Sequence, residues 1–329
     1  MIDLHLHLDG SLSPELVKQL AELQKVPLPA ERLEDLKKLL SVPPDCGDLN
    51  QYLRCFDLPV SVLQSGEALT MAVKELTSRL AEQGLLYAEL RFAPSQHTRK
   101  GLTQAQAVEA AIAGLPKVSH NDSWRFSSQL VLCCMRGGEE PANRETIETA
   151  ARFLGQGVCA VDLAGAEALY PTEQYKGLFE YARLLGVPFT LHAGEAAGPE
   201  SIWQALEMGA SRIGHGVRAK EDPKLLSCLA ERKIPLELCP TSNLQTKAVP
   251  DLGHFPVRDY LAEGIVATVN TDNMTVSRTT LKQEFQLLRT IGLTEKEYQT
   301  LLFNSVEGAF LPGEEKSALK QAVSQKLSE

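Results

Sequence analysis

Eight short apolar runs constrain this chain more than any other feature. They occupy residues 2–8, 85–92, 129–136, 157–165, 187–194, 212–216, 234–243 and 265–273, and most end at a Gly, Pro, Asn or Asp followed by a segment with helical character. Near-continuous apolar strands alternating with helices predict a parallel sheet covered on both faces. Eight such units in 329 residues predict a closed α/β structure, a (β/α)8 TIM barrel held as one domain over residues 1–311.

The first interval is the longest. Residues 11–84 hold several helical patterns and predict a helical insertion after the first strand, lying over one barrel rim. One of these helices should cover residues 14–23, with Ser13 as N-cap and Pro14 just inside it. Tyr52, Leu53, Phe56, Leu58 and Val62 are apolar at helical spacing, which reads first as core and second as the wall of a substrate pocket. The polar stretch 312–329 reads as a C-terminal helix or tail.

Charge and cysteine usage narrow the partners. A formal net charge of −9 and a pI near 5.4 argue against nucleic acid or an anionic membrane as the main partner. The seven cysteines form neither a C-x-x-C pair nor a spaced disulfide ladder, so they read as buried thiols. No apolar stretch is long enough to cross a bilayer, and the first residues lack a basic region followed by an apolar core. The expectation is a cytoplasmic protein that acts on a small molecule.

His5 and His7 sit two apart on the first run. Side chains at i and i+2 of a strand share a face, so the two imidazoles are able to grip one ion. Two satisfied core histidines would explain such a pair on its own. They do not explain the wider pattern, in which His7, His192, His215 and Asp272 all fall at or near the carboxyl ends of runs one, five, six and eight. In a parallel barrel those ends converge on the rim that carries the active site. His97, His120 and His254 lie in loop-like or polar contexts. Imidazoles with a carboxylate suit zinc, one ion per chain, with a position left for water whose pKa the ion lowers. Iron, cobalt or manganese would accept similar ligands. Glu195, three residues after His192, reads either as a helix-start acid favoured by the helix dipole or as a proton donor beside the activated water.

HLHLDGSL at residues 5–12, YAELRFAP at 87–94, LCCMR at 132–136, VDLAGAE at 161–167, HAGE at 192–195, RIGHG at 212–216, ELCPTSN at 237–243 and VNTDN at 269–273 together resemble the adenosine deaminase family of zinc-dependent (β/α)8 hydrolases. The resemblance implies that His5, His7, His192 and Asp272 bind the metal, with His7 also beside the substrate. It implies that His215 orients the attacking water and offsets developing charge, that Asp272 accepts that water's proton, and that Glu195 protonates N1 of the purine. Hydrolysis would then convert adenosine to inosine and ammonia, with 2′-deoxyadenosine accepted because no motif reads the 2′ position. The H-x-E and P-C-x-x-C signature of the deaminases that act on nucleic acid is missing from this sequence.

Three further positions bear on specificity. Asp9 corresponds to the residue that binds the ribose 5′-hydroxyl, where a carboxylate welcomes a hydroxyl and repels a phosphate; an Asp-Gly pair is also a turn signal in any protein. Gly165 would offer its N–H to the purine N3, or else merely end the fourth strand. Asn273 stands where many members carry a second Asp, and Met274 replaces the usual proline. Base N7 is an acceptor, and a neutral amide donates to it without the proton that a carboxylate would have to hold. Two alternatives follow from the same residues: a deaminase of adenine or another modified purine, disfavoured because adenine-specific relatives tend to carry Glu at the position of Asp9, and a non-catalytic nucleoside-binding member.

Overall fold

The computed structural model describes residues 1–117 and 124–328; His120 lies outside them. All eight apolar runs contain a strand: β1 (Ile2–His7), β2 (Tyr87–Phe92), β3 (Ser127–Met135), β4 (Val158–Ala164), β5 (Thr190–Ala193), β6 (Arg212–His215), β7 (Leu236–Leu238) and β8 (Ala267–Val269). Every pairing is parallel, in the orders β1-β2-β3-β4 and β5-β6-β7-β8. Two seams join these halves. At one, the Val161 N–H donates to Pro188 O at 3.0 Å. At the other, Leu6 bridges Asp272, with the His7 N–H donating to Asp272 O at 2.7 Å and the Asp272 N–H to His5 O at 2.8 Å. The result is the (β/α)8 barrel.

The last two runs are the most shortened as strands. In 234–243 the strand stops at Leu238 and Pro240 opens the helix Pro240–Gln245, as expected of a residue with fixed φ and no N–H to lose. In 265–273 the strand stops at Val269, so Asp272 is held beyond it by the β1 seam.

The insertion after β1 contains α1 (Pro14–Gln24), α2 (Leu33–Leu39), α3 (Leu49–Leu53), α4 (Asp57–Val62) and α5 (Gly66–Glu82). Ser13 caps α1, its Oγ accepting from the Leu16 N–H at 3.2 Å with Pro14 at the first helical position. The apolar patch divides by face: Val62 is fully buried and Leu58 packs against the main core, whereas Tyr52, Leu53 and Phe56 line a cavity. Residues Gly313–Ser328 form a helix that buries Leu319, Ala322 and Val323, a spacing of three and four that puts them on one stripe.

Alternation along the strands separates two interiors. Leu4, Leu6, Leu90, Leu132 and Leu163 belong to the large apolar core, while the barrel centre is ionic. Arg91 reaches across to Asp162 and Glu237, both at 2.9 Å, and Arg212 binds Glu237 at 2.6 Å and Glu89 at 2.6 Å. All five side chains are at most 1% exposed, and such charges persist in a low-dielectric interior only when paired. No helix among the described residues is long and apolar enough to cross a membrane.

Candidate active site

The ionic centre ends, at the carboxyl rim, in histidines. His5 and His7 come from β1, His192 from β5, His215 from β6, and Asp272 from the segment after β8. The ligand atoms of His5, His7, His192 and Asp272 all lie within 4.8 Å of one another. His7 Nε2 stands 3.3 Å from His192 Nε2, and Asp272 Oδ1 is 3.5 Å from Nε2 of both His5 and His7.

Two carboxylates aim these rings. Glu237 Oε2 accepts from His5 Nδ1 at 2.7 Å, and Asp162 Oδ2 from His192 Nδ1 at 2.9 Å. With Nδ1 protonated and bonded, each Nε2 is left as a lone pair facing the cluster, the arrangement that orienting carboxylates give to metal-binding histidines. His5 Nε2 is buried without any hydrogen-bond partner. A buried acceptor of that kind facing two more imidazoles and a carboxylate fits a metal ion and is costly without one. Burial holds His7 well below the ordinary imidazole range, so this ring is neutral and able to ligate. Burial opposes ionisation of Asp272, but His5, whose Nε2 stands 3.5 Å away, and the imidazoles of His215 and His7 hold its carboxyl well below the ordinary range.

His215 is oriented differently. Asn243 Oδ1 accepts from the Cys239 N–H at 3.2 Å, which fixes the amide so that its Nδ2 donates to His215 Nδ1 at 3.0 Å. The ring proton therefore sits on Nε2, which faces the site 3.6 Å from Glu195 Oε2. Burial pushes His215 well below the ordinary imidazole value, so it acts as a neutral donor. His215 and Asp272 both adopt φ of 59°. Left-handed backbone at residues other than glycine costs about 1–3 kcal/mol each and gathers at functional sites.

Glu195 is 5% exposed, and its carboxyl is raised from 4.5 to about 8, by burial first and then by the charges of Asp272 and Glu167. Thr246 Oγ1 donates to its Oε1 at 3.1 Å. It is a carboxylic acid kept protonated near neutrality, as a general acid must be.

His7, His192, Glu195, His215 and Asp272 line a cavity of about 300 Å³ that also takes in Asp9, Gly165, Asn273, Tyr52 and Phe56, at the lower end of the roughly 300–1,000 Å³ usual for small-molecule sites. Asp9 is buried, and burial raises its carboxyl to about 6. Gly165 has φ of +112°, which only glycine adopts without strain. Asn273 Nδ2 donates to Tyr52 Oη at 2.9 Å and its Oδ1 is buried without a partner. The candidate metal, catalytic and specificity residues named from the sequence therefore lie together. His97 is buried, not loop-like, with Nδ1 2.9 Å from Leu63 O, and His254 is exposed beside Asp251.

Sequence reading missed Asp162, Glu237 and Asn243 as orienting groups, and it read Tyr52 as apolar wall without its hydroxyl's bond to Asn273. A signal was present for the two acids: each is a lone charge inside an apolar strand, VDLA and LEL, and a charge there must have a buried partner.

The adenosine deaminase family model matches residues 1–326. The chain is 51% identical to an adenosine deaminase of Haemophilus ducreyi over 99% of its own length and 96% of the relative's. It is 41% identical to one of Enterococcus faecalis, covering 98% and 96%. Among solved structures, an adenine deaminase of Arthrobacter aurescens superposes with a TM-score of 0.90 at 28% identity, covering 100% and 99%, and the N6-methyl-AMP deaminase of Arabidopsis thaliana with 0.82 at 26%, covering 98% and 96%. With the family model matched over residues 1–326 and a relative 51% identical over nearly the whole length, this chain belongs to the adenosine deaminase family.

Proposed function

We propose that this chain catalyses the hydrolytic deamination of adenosine, and of 2′-deoxyadenosine, to inosine or deoxyinosine and ammonia, with one zinc ion held by His5, His7, His192 and Asp272. The observation that carries this reading is the convergence of three imidazoles and a carboxylate, one Nε2 buried without a partner, beside a carboxyl raised to about 8 on the wall of a nucleoside-sized cavity. The two curated relatives named above act as support for adenosine as substrate.

Bound to these four ligands, zinc would supply Lewis acidity and bring the pKa of a water molecule at the site towards neutrality. Asp272, ionised and central to the cluster, takes the proton of the attacking water. His215 directs its Nε2–H at the oxygen as charge develops. Glu195 donates its proton to N1 of the purine, which interrupts ring conjugation and leaves C6 open to attack; the tetrahedral intermediate then expels ammonia. Asp9 binds the 5′-hydroxyl, the Gly165 N–H binds N3, and the second N–H of the Asn273 amide serves N7, its first being bonded to Tyr52.

The catalytic unit of this reading is residues 1–311, with 11–84 over the rim and 312–329 as a C-terminal helix or tail. A reducing, cytoplasmic setting agrees with seven free cysteines, five of them buried. The decisive experiment follows the loss of adenosine absorbance before chelation, after it, and after zinc repletion, with adenine and adenosine 5′-monophosphate alongside. The expected result is turnover of adenosine that disappears and returns with zinc. Preference for adenine or the monophosphate would overturn the ribose assignments, and turnover surviving complete metal removal would overturn the mechanism.

A further inference from the structure

The turn that carries Glu195, between β5 and the helix Pro199–Met208, is gripped by a carboxylate from the loop after β4. Glu167 is 2% exposed and accepts five hydrogen bonds. On Oε1 these come from the Gly194 N–H at 2.7 Å and the Ser201 hydroxyl at 2.6 Å. On Oε2 they come from the N–H groups of Glu195 at 3.0 Å, Ala196 at 2.7 Å and Ala197 at 2.9 Å.

Four consecutive backbone N–H groups turned onto one anion form a nest. That curl needs Gly194 at φ of +69°, and a Cβ there would lie 2.4 Å from Ile202 Cδ1. The opposite side of the turn is fixed as well. Arg136 Nη2 donates to His192 O at 2.7 Å and to Thr172 Oγ1 at 2.8 Å, and that hydroxyl meets Ser201 Oγ at 2.7 Å. Glu167 is not among the residues that line the cavity, so it does not act on substrate directly.

We infer that Glu167 is a positioning residue for the reaction: its carboxylate sets the backbone of residues 194–197 and so places the Glu195 carboxyl against the purine ring. This rests on Glu195 as the proton donor. A glutamine at position 167 keeps one acceptor oxygen but turns an NH2 group towards backbone donors, leaving at least one of them buried and unbonded. The turn must then shift, and a displacement of about 1 Å at a catalytic group costs up to about 100-fold in rate.

The test is a double-mutant cycle on the zinc-loaded full chain, using Glu167→Gln, Glu195→Gln and the pair, with kcat and KM for adenosine and zinc per chain measured for each. The expected result is a fall in kcat of about 10- to 100-fold for Glu167→Gln, with KM within a few-fold, zinc retained, and no further fall when the same change is made in the Glu195→Gln background. An equal fall in both backgrounds would show a merely structural role and overturn the inference, as would loss of zinc or a kcat within twofold of the parent. Ser201→Ala, which removes one of the five bonds, provides a second cycle should Glu167→Gln not fold; it is expected to lower kcat about two- to tenfold, again only while Glu195 is present. If Glu195→Gln alone stays within a few-fold of the parent, the donor assignment fails first and takes this inference with it.

Discussion

The Glu195→Gln substitution puts the proposed chemistry at greatest risk. Glu195 is buried, with a carboxyl raised to about 8. At pH 7 such a group is roughly 90% protonated, whereas one at the ordinary 4.5 would be roughly 0.3% protonated, so the environment enriches the donor form by about 300-fold. Glutamine preserves the size and the hydrogen bond from Thr246 but has no proton to give. General acid catalysis contributes about 10²–10⁴-fold, and kcat should fall by that amount while zinc content stays near one per chain. The pH profile adds a second arm. Only the protonated acid donates, so parental kcat/KM should decline as pH rises through about 8, and that limb should vanish in the variant. Stability supplies the third. Because the folded-state value is raised, the native protein binds a proton that the unfolded chain lacks between about pH 4.5 and 8, so stability falls with rising pH across that window and glutamine should flatten the fall. Activity within a few-fold of the parent, or an alkaline limb that persists unchanged, would refute the reasoning.

Asp272→Ala should lower both zinc retention and kcat, since one side chain both ligates and accepts a proton; unchanged zinc affinity, measured by competition with a chelator, would remove it from the ligand set. Glu237→Gln leaves Arg91 and Arg212 short of a buried counter-charge and His5 Nδ1 without its carboxylate. Denaturant unfolding should show a loss of about 3–5 kcal/mol, and a loss below 1 kcal/mol would mean that the ionic centre is not stabilising. Asp9→Asn should weaken discrimination against adenosine 5′-monophosphate by at least about tenfold in relative kcat/KM, because like charges placed together cost several kcal/mol; an unchanged ratio counts against the assignment of Asp9 to the 5′ end.

The barrel and its rim were legible because their signals are local. A strand buried on both faces must be apolar almost throughout, and residues 158–164 or 187–194 announce this without any knowledge of their neighbours. His5 and His7 share a face by strand geometry alone, and Ser13 followed by Pro14 marks a helix start by its hydrogen-bonding chemistry. The limits of the last two strands were less legible, since Cys239, Asn270 and Thr271 continue buried stretches that leave the ladder once Pro240 or the β1 seam takes over.

Taken alone, then, the sequence determined the strand-helix alternation, the residues presented at the carboxyl rim, and the family these motifs resemble, all through short-range periodicity and residue chemistry. Only the tertiary structure decided how those residues are tuned. Asp162 and Glu237 fix which imidazole nitrogens face the cluster, Asn243 fixes the proton on His215, burial raises Glu195 to about 8, and Glu167 anchors its turn. Each of these depends on distance and solvent exclusion between groups that lie dozens of residues apart. A pattern that repeats over two to four residues carries no record of either.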